Sequence, residues 1–169
     1  MSFIKNFNEL INIRIELKNQ NKKVVFTNGV FDLLHAGHVD YLTKAKQKGD
    51  VLIVAVNSDL SVKKIKGELR PIVPQDERAF IISSLKPVDY VFLFNEETPY
   101  EVIKQLVPDV LIKGADWDID KIVGKDVDID KIVGKDVVEA NGGKVETIQF
   151  VNDSSTTNII KTVIERFGK

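Results

Sequence analysis

Short apolar runs that alternate with longer, helically periodic segments constrain the fold of this chain more than any other feature. The runs are rich in β-branched or aromatic residues and lie at 24–26, 51–56, 88–94, 110–112 and 145–150. Runs that are apolar at nearly every position are typical of strands buried on both faces, as in a parallel sheet. The alternation predicts an α/β fold, a Rossmann-like doubly wound parallel sheet that binds ligands at the carboxyl ends of its strands.

The segments between these runs predict helices. An N-terminal helix is expected over about residues 3–20, with Ser2 as its N-cap. Its apolar positions recur at steps of three and four residues, and they are Ile4, Phe7, Ile11 and Ile15. A second helix is expected over 38–48, with Gly49 as its C-cap. Its apolar side is formed by Val39, Leu42 and Ala45. A terminal helix is expected to have one apolar face, made of Ile159, Ile160, Val163, Ile164 and Phe167.

Length and composition narrow the functional classes. At 169 residues the chain fits a single domain, 1–169, and its net charge of −1 argues against a nucleic-acid partner. The absence of cysteine excludes disulfides and cysteine-based metal sites. The longest apolar run is far shorter than the ~20 residues of a membrane helix, and polar residues interrupt any N-terminal secretion signal. We therefore expect a cytoplasmic protein with small-molecule substrates and no membrane partner.

One segment departs from the alternating pattern. Residues 118–127 (DIDKIVGKDV) are repeated letter for letter at 128–137. Because ten residues leave a mismatch of about 80° relative to whole helical turns, a continuous helix would rotate its apolar face away from the core. We therefore expect an extra loop or protruding turn, with one copy filling the structural place and no catalytic role for the duplication.

The strongest chemical signal is GVFDLLHAGH, residues 29–38, directly after the first predicted strand. A helix is expected to begin near Gly37, which places His35 and His38 beside the unpaired N–H groups and positive dipole end of a helix. Gly37 permits close approach of a ligand to the backbone. Two histidines at this position suit a phosphate ligand, whereas the alternative is that they only cap the helix or pack against it.

Further polar segments follow the other strands. Lys63, Lys64, Lys66 and Arg70 form a predicted basic loop, which suits an anion clamp but is also typical of a solvated surface. Arg78 opens a predicted helix and would otherwise be an exposed helix arginine.

Two later segments also follow strands or precede a helix. Lys113, Gly114 and Asp116 come at the end of a strand, where ligands are expected, and Asp116 is able to accept hydrogen bonds from a ribose or base or to help bind a metal. Residues 154–157 (SSTT) precede the terminal helix, where hydroxyl side chains are common N-caps.

These motifs resemble the HxGH nucleotidyltransferase superfamily. The similarity includes TNGVFDLLHAGH (27–38), VNSD (56–59), KKIKGELRPIVPQDER (63–78), LIKGADW (111–117), EANGGKV (139–145) and SSTTNII (154–160). Their order and spacing are most similar to the adenylyltransferases of the bacterial heptose-phosphate pathway, which transfer AMP to D-glycero-D-manno-heptose 1-phosphate. Relatives often form homodimers, but no exposed apolar stripe in the sequence identifies an interface.

The resemblance implies a role for each matching residue. It implies catalytic roles for His35, His38 and Lys66. It implies contact with the substrate phosphate for Lys64, Arg70 and Arg78. It implies nucleotide binding by Thr27, Asn28, Gly29, Phe31, Gly37, Lys113, Gly114, Asp116, Ser155, Thr156 and Thr157. No protein side chain is expected to form a metal site alone, and Mg²⁺ is expected to enter with the phosphates of ATP.

Three other functions remain open at this level. A cytidylyltransferase acting on glycerol 3-phosphate or another polyol phosphate shares several of these motifs. A non-catalytic module would bind a nucleotide with the same helix ends but release no pyrophosphate. A fragment of a HIGH-type aminoacyl-tRNA synthetase fits poorly, because the sequence shows no evident tRNA-binding surface and STTNII is not the lysine-rich second signature of that class.

Overall fold

The computed structural model describes residues 2–4, 6–115, 131–149 and 155–168. Its strands are β1 (Ser2–Ile4), β2 (Val24–Gly29), β3 (Val51–Asn57), β4 (Tyr90–Phe94), β5 (Val110–Ala115) and β6 (Lys144–Gln149). Its helices are α1 (Phe7–Asn19), α2 (Ala36–Lys46), α3 (Asp59–Lys66), α4 (Gln75–Ser83), α5 (Tyr100–Leu106), α6 (Lys135–Ala140) and α7 (Thr156–Phe167). Within these residues no helix is long and apolar enough to cross a membrane.

The six strands form one parallel sheet in the order β1-β4-β3-β2-β5-β6. Successive residues of β2 enter different cores: Val24 and Phe26 belong to one buried cluster, whereas Val25 belongs to the other. Both faces of the sheet are thus covered, which is why the strands are apolar at nearly every position. The predicted α/β, Rossmann-like single-domain fold is confirmed.

The N-terminal segment differs from the prediction. Ser2–Ile4 forms β1, which pairs in parallel with β4, and Asn6 rather than Ser2 caps α1 by accepting a hydrogen bond from the Asn8 N–H. A predicted helix start near residue 3 is therefore wrong. Ile4 is buried in a strand, and Ile15 is 53% exposed because α1 buries Leu10 and Leu17 instead. Phe7 does pack against the core, so recurrence at three- and four-residue steps was right at Phe7 and wrong at Ile15.

The other two predicted helices are present but differ in detail. Helix α2 ends before Gln47, so Gly49 is not its C-cap, and Val39 is exposed while Leu42 and Ala45 are buried. The apolar residues of α7 are not buried, and Phe167 is 77% exposed. The sequence showed no exposed apolar stripe, whereas the structure leaves the apolar side of α7 open to solvent within the described residues.

The second copy of the repeat contributes to the core. Ile132 is buried, and Gly134 caps α6 with φ 85°, a conformation that favours glycine. A Cβ on Gly134 would lie 2.7 Å from the side chain of Ile103 in α5. Residues 131–137 therefore fill the structural place expected for one copy. The first copy, 118–127, lies outside the described residues.

Candidate active site

The sheet creates a crevice where its connections change direction. From β2 the chain continues through β3 to one side of the sheet, whereas β5 and β6 lie on the other side. The pairing of β2 with β5 covers only Val25↔Val110 and Phe26↔Leu111, while β2 and β3 pair over six positions. The carboxyl ends of β2 and β5 therefore separate at a topological switch point, the usual ligand position in this class of sheet.

The loop from β2 to α2 is shaped around Phe31. Phe31 is buried at φ 49°, a left-handed conformation that is rare for a residue with a side chain. A Cβ on Gly29 would lie 2.8 Å from the Phe31 ring, so only glycine leaves room for it. The Phe31 ring in turn meets the His38 ring edge-on, with the ring centroids 5.2 Å apart. Gly29 and Phe31 thus help to position His38. The sequence predicted only nucleotide binding for these two residues and did not indicate this positioning role.

His35 and His38 lie together at the start of α2. His35 is the N-cap residue, and its ring stacks on that of His38 with the centroids 3.8 Å apart. Burial lowers the pKa of His35, and burial together with the neighbouring His35 lowers the pKa of His38 to about 4. Both rings are therefore neutral near pH 7. Each is able to donate one N–H to an anion, and a bound phosphate would favour a second proton.

Asp32 holds a second loop against this one. Its side chain is 1% exposed, accepts a 2.6 Å hydrogen bond from Arg70 Nε, and accepts further bonds from the N–H groups of Ile72 and Val73. The segment after α3 is thereby fixed beside the histidine loop. Asp32 lies within the motif GVFDLLHAGH, but the sequence alone indicated no role for it. The sequence feature that could have indicated this role is the position of a carboxylate between a phenylalanine and the two histidines.

Arg78 is buried rather than exposed on its helix. It is 1% exposed, and its guanidinium donates to the carbonyls of Val73 and Val30 and to Asp59 Oδ1. Its position is therefore in the protein interior, where it ties α4 to the histidine loop and to the start of α3. These bonds use three of the five guanidinium N–H groups and hold α4 in place, and contact of Arg78 with a substrate phosphate stays a prediction.

The Thr27 side chain lies beneath the crevice, and a nucleotide contact of this residue stays a prediction. It is fully buried, and its hydroxyl shares a 2.6 Å hydrogen bond with that of Tyr41 in α2. Tyr41 also donates to the carbonyl of Ile112 in β5 over 3.4 Å. The Thr27 side chain therefore links β2, α2 and β5 beneath the crevice. Asn28, one residue later, is half-buried at the end of β2.

The predicted basic loop is largely helical. Lys63, Lys64 and Lys66 lie in the last turn of α3, and Lys63 pairs with Glu68. Lys64 and Lys66 are exposed but are 200° apart around the helix, at 100° per residue, so they project on nearly opposite sides. Lys66 follows buried Val62 by one turn and shares its side of α3. The two lysines do not form one clamp in this conformation.

The N-terminus of α7 reaches the histidine loop. Ser155 caps α7 by accepting a 3.1 Å bond from the Asn158 N–H, and Thr156 Oγ1 donates to the carbonyl of Leu33 over 3.5 Å. Neither α2 nor α7 has an acidic residue in its first turn. Two helix N-termini whose first turns contain no carboxylate therefore meet at the histidine loop, which favours a bound anion. Thr157 is exposed in the first turn of α7.

The remaining predicted residues line the same edge or lie outside the described residues. Gly37 is buried in the first turn of α2. Lys113 and Gly114 are in β5, opposite Thr147 and Ile148 of β6. Asp116 is outside the described residues. The described residues contain no group of three or more acidic, histidine or cysteine side chains able to hold a metal ion.

The Asp32 contacts generate a testable prediction. Asp32→Asn removes the charge that Arg70 faces in a buried site, so the free energy of unfolding should fall by about 1–3 kcal/mol in urea denaturation. Amide exchange at Ile72 and Val73 should accelerate. Asp76→Asn, the same change at an exposed carboxylate, should stay within ~0.5 kcal/mol of the wild type. Unchanged exchange at Ile72 and Val73 in Asp32→Asn would contradict the anchoring role.

The pKa of His38 generates a second prediction. Since His38 titrates near pH 4 when folded and near its ordinary 6.5 when unfolded, unfolding takes up a proton between these values. Its contribution to stability is therefore complete above about pH 6.5 and is lost as the pH falls. Relative to a His38→Gln variant, the wild type should lose ~2 kcal/mol of unfolding free energy from about pH 7.5 to about pH 5. If the difference in unfolding free energy between the wild type and the variant is constant over this range, the pKa of His38 is not lowered in the folded protein.

Comparison with known proteins agrees with this geometry. The chain is 46% identical over 166 residues to the bifunctional protein HldE of Geobacter sulfurreducens, covering 98% of this chain and 32% of that protein. It is 51% identical over 164 residues to the HldE of Aliarcobacter butzleri, covering 97% of this chain and 32% of that protein. The chain therefore spans about a third of the length of these relatives.

Solved structures give the same fold. A lipopolysaccharide core biosynthesis protein from Thermoplasma volcanium is 28% identical, with a TM-score of 0.58 over 79% of this chain and 99% of its own. A pantoate-beta-alanine ligase from Francisella tularensis, 18% identical, has a TM-score of 0.66 over 98% of this chain and 76% of its own, which shows a shared fold. The cytidylyltransferase-like family profile matches residues 26–162, from β2 to the middle of α7. The chain thus belongs to the cytidylyltransferase-like family of nucleotidyltransferases.

Proposed function

We propose that the chain transfers AMP from ATP to D-glycero-D-manno-heptose 1-phosphate and releases pyrophosphate and ADP-heptose. The observation that carries the proposal is the pair of stacked, neutral histidines at the N-terminus of α2, beside the N-terminus of α7 and at the sheet's switch point. The sugar and the base rest on the sequence resemblance to heptose-phosphate adenylyltransferases and on the HldE relatives.

The proposed reaction is a direct displacement at the α-phosphorus. An oxygen of the sugar phosphate, already ionised at neutral pH, forms a bond to that phosphorus. The bond from the α-phosphorus to the bridging oxygen breaks, and its electron pair leaves on pyrophosphate. No general base is required, because the attacking oxygen has no proton to lose. Catalysis then depends on positioning and on stabilising the charge of the leaving group.

The described residues supply both requirements. The ring N–H groups of His35 and His38 and the backbone N–H groups at the start of α2 donate to the triphosphate. The N-terminus of α7, with Thr156 and Thr157, lies at the same edge and suits the departing phosphates. Lys66 is an exposed cation on the Val62 side of α3, and the Arg70 guanidinium is held by Asp32 of the histidine loop. These cations offset charge on the substrate phosphate and on pyrophosphate.

The side chains of the site are consistent with a metal ion that is held by the phosphates of the nucleotide. Asp32 and Asp59, the carboxylates that follow β2 and β3, are bonded to Arg70 and Arg78. Histidine and lysine are poor ligands for Mg²⁺, which prefers phosphate, carboxylate and water oxygens. When bound through the phosphates, Mg²⁺ would neutralise negative charge on them.

A second candidate is a CTP-dependent enzyme that acts on glycerol 3-phosphate or another polyol phosphate. The observation that favours it is the matched family itself, whose description is cytidylyltransferase-like. The chemistry of the histidines and helix N-termini is the same for ATP and CTP, so the two candidates differ in substrate and not in mechanism.

Pyrophosphate release tests the proposal. With Mg²⁺, ATP and CTP are each paired with heptose 1-phosphate and glycerol 3-phosphate, and turnover is expected only for ATP with heptose 1-phosphate. His38→Ala should lower that turnover at least ~100-fold, because one preorganised donor is lost. Val39→Ala, at the exposed neighbouring position of α2, is the matched control and should retain turnover.

Each other outcome has a distinct meaning. Turnover only for CTP with glycerol 3-phosphate would overturn the substrate and keep the mechanism. Near-normal turnover in His38→Ala would overturn the role of the histidine. ATP binding without pyrophosphate release in any pair would identify a non-catalytic nucleotide-binding module.

A further inference from the structure

A second concave site lies at the opposite edge of the sheet. A pocket of about 370 Å³ is formed by the last turns of α1, the turn into β2 and the starts of β5 and β6. It is lined by Arg14, Lys18, Asn21, Lys22, Lys23, Asp109, Gly142 and Lys144. Its size is within the range of about 300–1,000 Å³ that small-molecule sites occupy.

The lysines of this pocket differ from others in the chain. Lys44, Lys46 and Lys48, in and after α2, each form an ion pair with a carboxylate. Among the described residues, no ion pair is formed by the four lysines that line the pocket, Lys18, Lys22, Lys23 and Lys144. Four cations around one concavity repel one another, and a bound anion would offset that repulsion.

Arg14 gives the pocket a fixed wall. It is 9% exposed, and its Nε and Nη2 donate to the carbonyls of Leu106 and Val107 and to Asp109. Asp109 is the one carboxylate that lines the pocket, and it is occupied by Arg14 and by the Val24 N–H. Arg14 Nη1 makes no hydrogen bond to a described residue. The pocket therefore has five cationic side chains against one carboxylate that is already bonded.

The pocket is separate from the candidate active site. It lies at the amino ends of β2, β5 and β6, whereas the histidines follow the carboxyl end of β2. Six residues of strand separate the two edges by ~20 Å. One triphosphate cannot reach both sites.

We propose that this pocket is a second anion site, which binds a compact polyanion such as a diphosphate or triphosphate group. The concave shape limits the ligand to a small molecule or to one end of it, and a chain with a net charge of −1 is not suited to an extended nucleic acid. A cavity of this size holds a chain of two or three phosphate groups, and the flexible lysines are able to close on it from three sides.

Amide chemical shifts distinguish this site from the histidine site. Inorganic tripolyphosphate is added to the isotope-labelled chain without Mg²⁺, and the amides of Lys22 and Gly142 report the pocket while Gly37 reports the start of α2. The pocket amides should shift and saturate. Lys18→Gln/Lys22→Gln/Lys144→Gln should weaken that binding at least ~10-fold while leaving the Gly37 response unchanged. Lys86→Gln/Lys104→Gln/Lys161→Gln removes the same charge at exposed lysines elsewhere and should keep the affinity of the pocket.

Three results would overturn the proposal. The first is a response at Gly37 with none at Lys22 or Gly142. The second is a pocket response that does not saturate, and the third is equal weakening by both triple variants, which would indicate general charge attraction.

A parallel titration with ATP separates the possible sources of the ligand: equal affinity shows recognition of the phosphates alone, and tighter binding of ATP shows that the nucleoside contributes. Because the pocket amides are read independently, failure here leaves the proposed transferase reaction untouched.

Discussion

The whole site depends on the parting of β2 from β5 after two paired positions. Up to Phe26 and Leu111 the two strands pair with each other, and beyond these residues they no longer pair, which opens a crevice between their carboxyl ends. The separation follows from connectivity, because successive strands after β2 are added on one side and β5 begins the other. Thr27 and Tyr41 bridge the bottom of the gap through buried hydroxyls. The crevice is therefore a product of sheet topology, and its floor is set by two hydrogen bonds.

Buried charges then fix the walls of the crevice. Asp32 with Arg70 and Arg78 with Asp59 are ion pairs in which one member is almost completely inaccessible, and each also bonds to backbone groups. Removing charges from water is costly, so such pairs contribute little net stability, but breaking one leaves an uncompensated buried charge. Their effect is positional: the histidine loop, the segment after α3 and the start of α4 can move only together. A site that acts by holding a triphosphate in line requires this rigidity.

Five strands, their parallel orientation and the helix that begins near His35 followed from local residue patterns. Five of the six strands were predicted because apolar residues at nearly every position report burial on both faces. β1 was missed because three residues are too few for a periodic signal and because its residues pair with residues of β4 that lie 88 positions later in the sequence. The histidines were predicted from their place after a strand. The burial of the Arg78 and Thr27 side chains was not predicted, because their partners, Val30 and Tyr41, are set by tertiary contacts that the local sequence does not encode.

The most direct test of the proposed displacement at the α-phosphorus follows isotopically heavy oxygen placed on the phosphate of the sugar substrate. After turnover with ATP, phosphorus NMR of the sugar nucleotide and mass spectrometry of the pyrophosphate locate the label. Direct displacement predicts heavy oxygen in the bridge between the two phosphorus atoms of the product and none in pyrophosphate, because a substrate oxygen attacks the α-phosphorus. Label in pyrophosphate, or a product whose bridge carries only oxygen from ATP, would contradict the mechanism assigned to the histidine site.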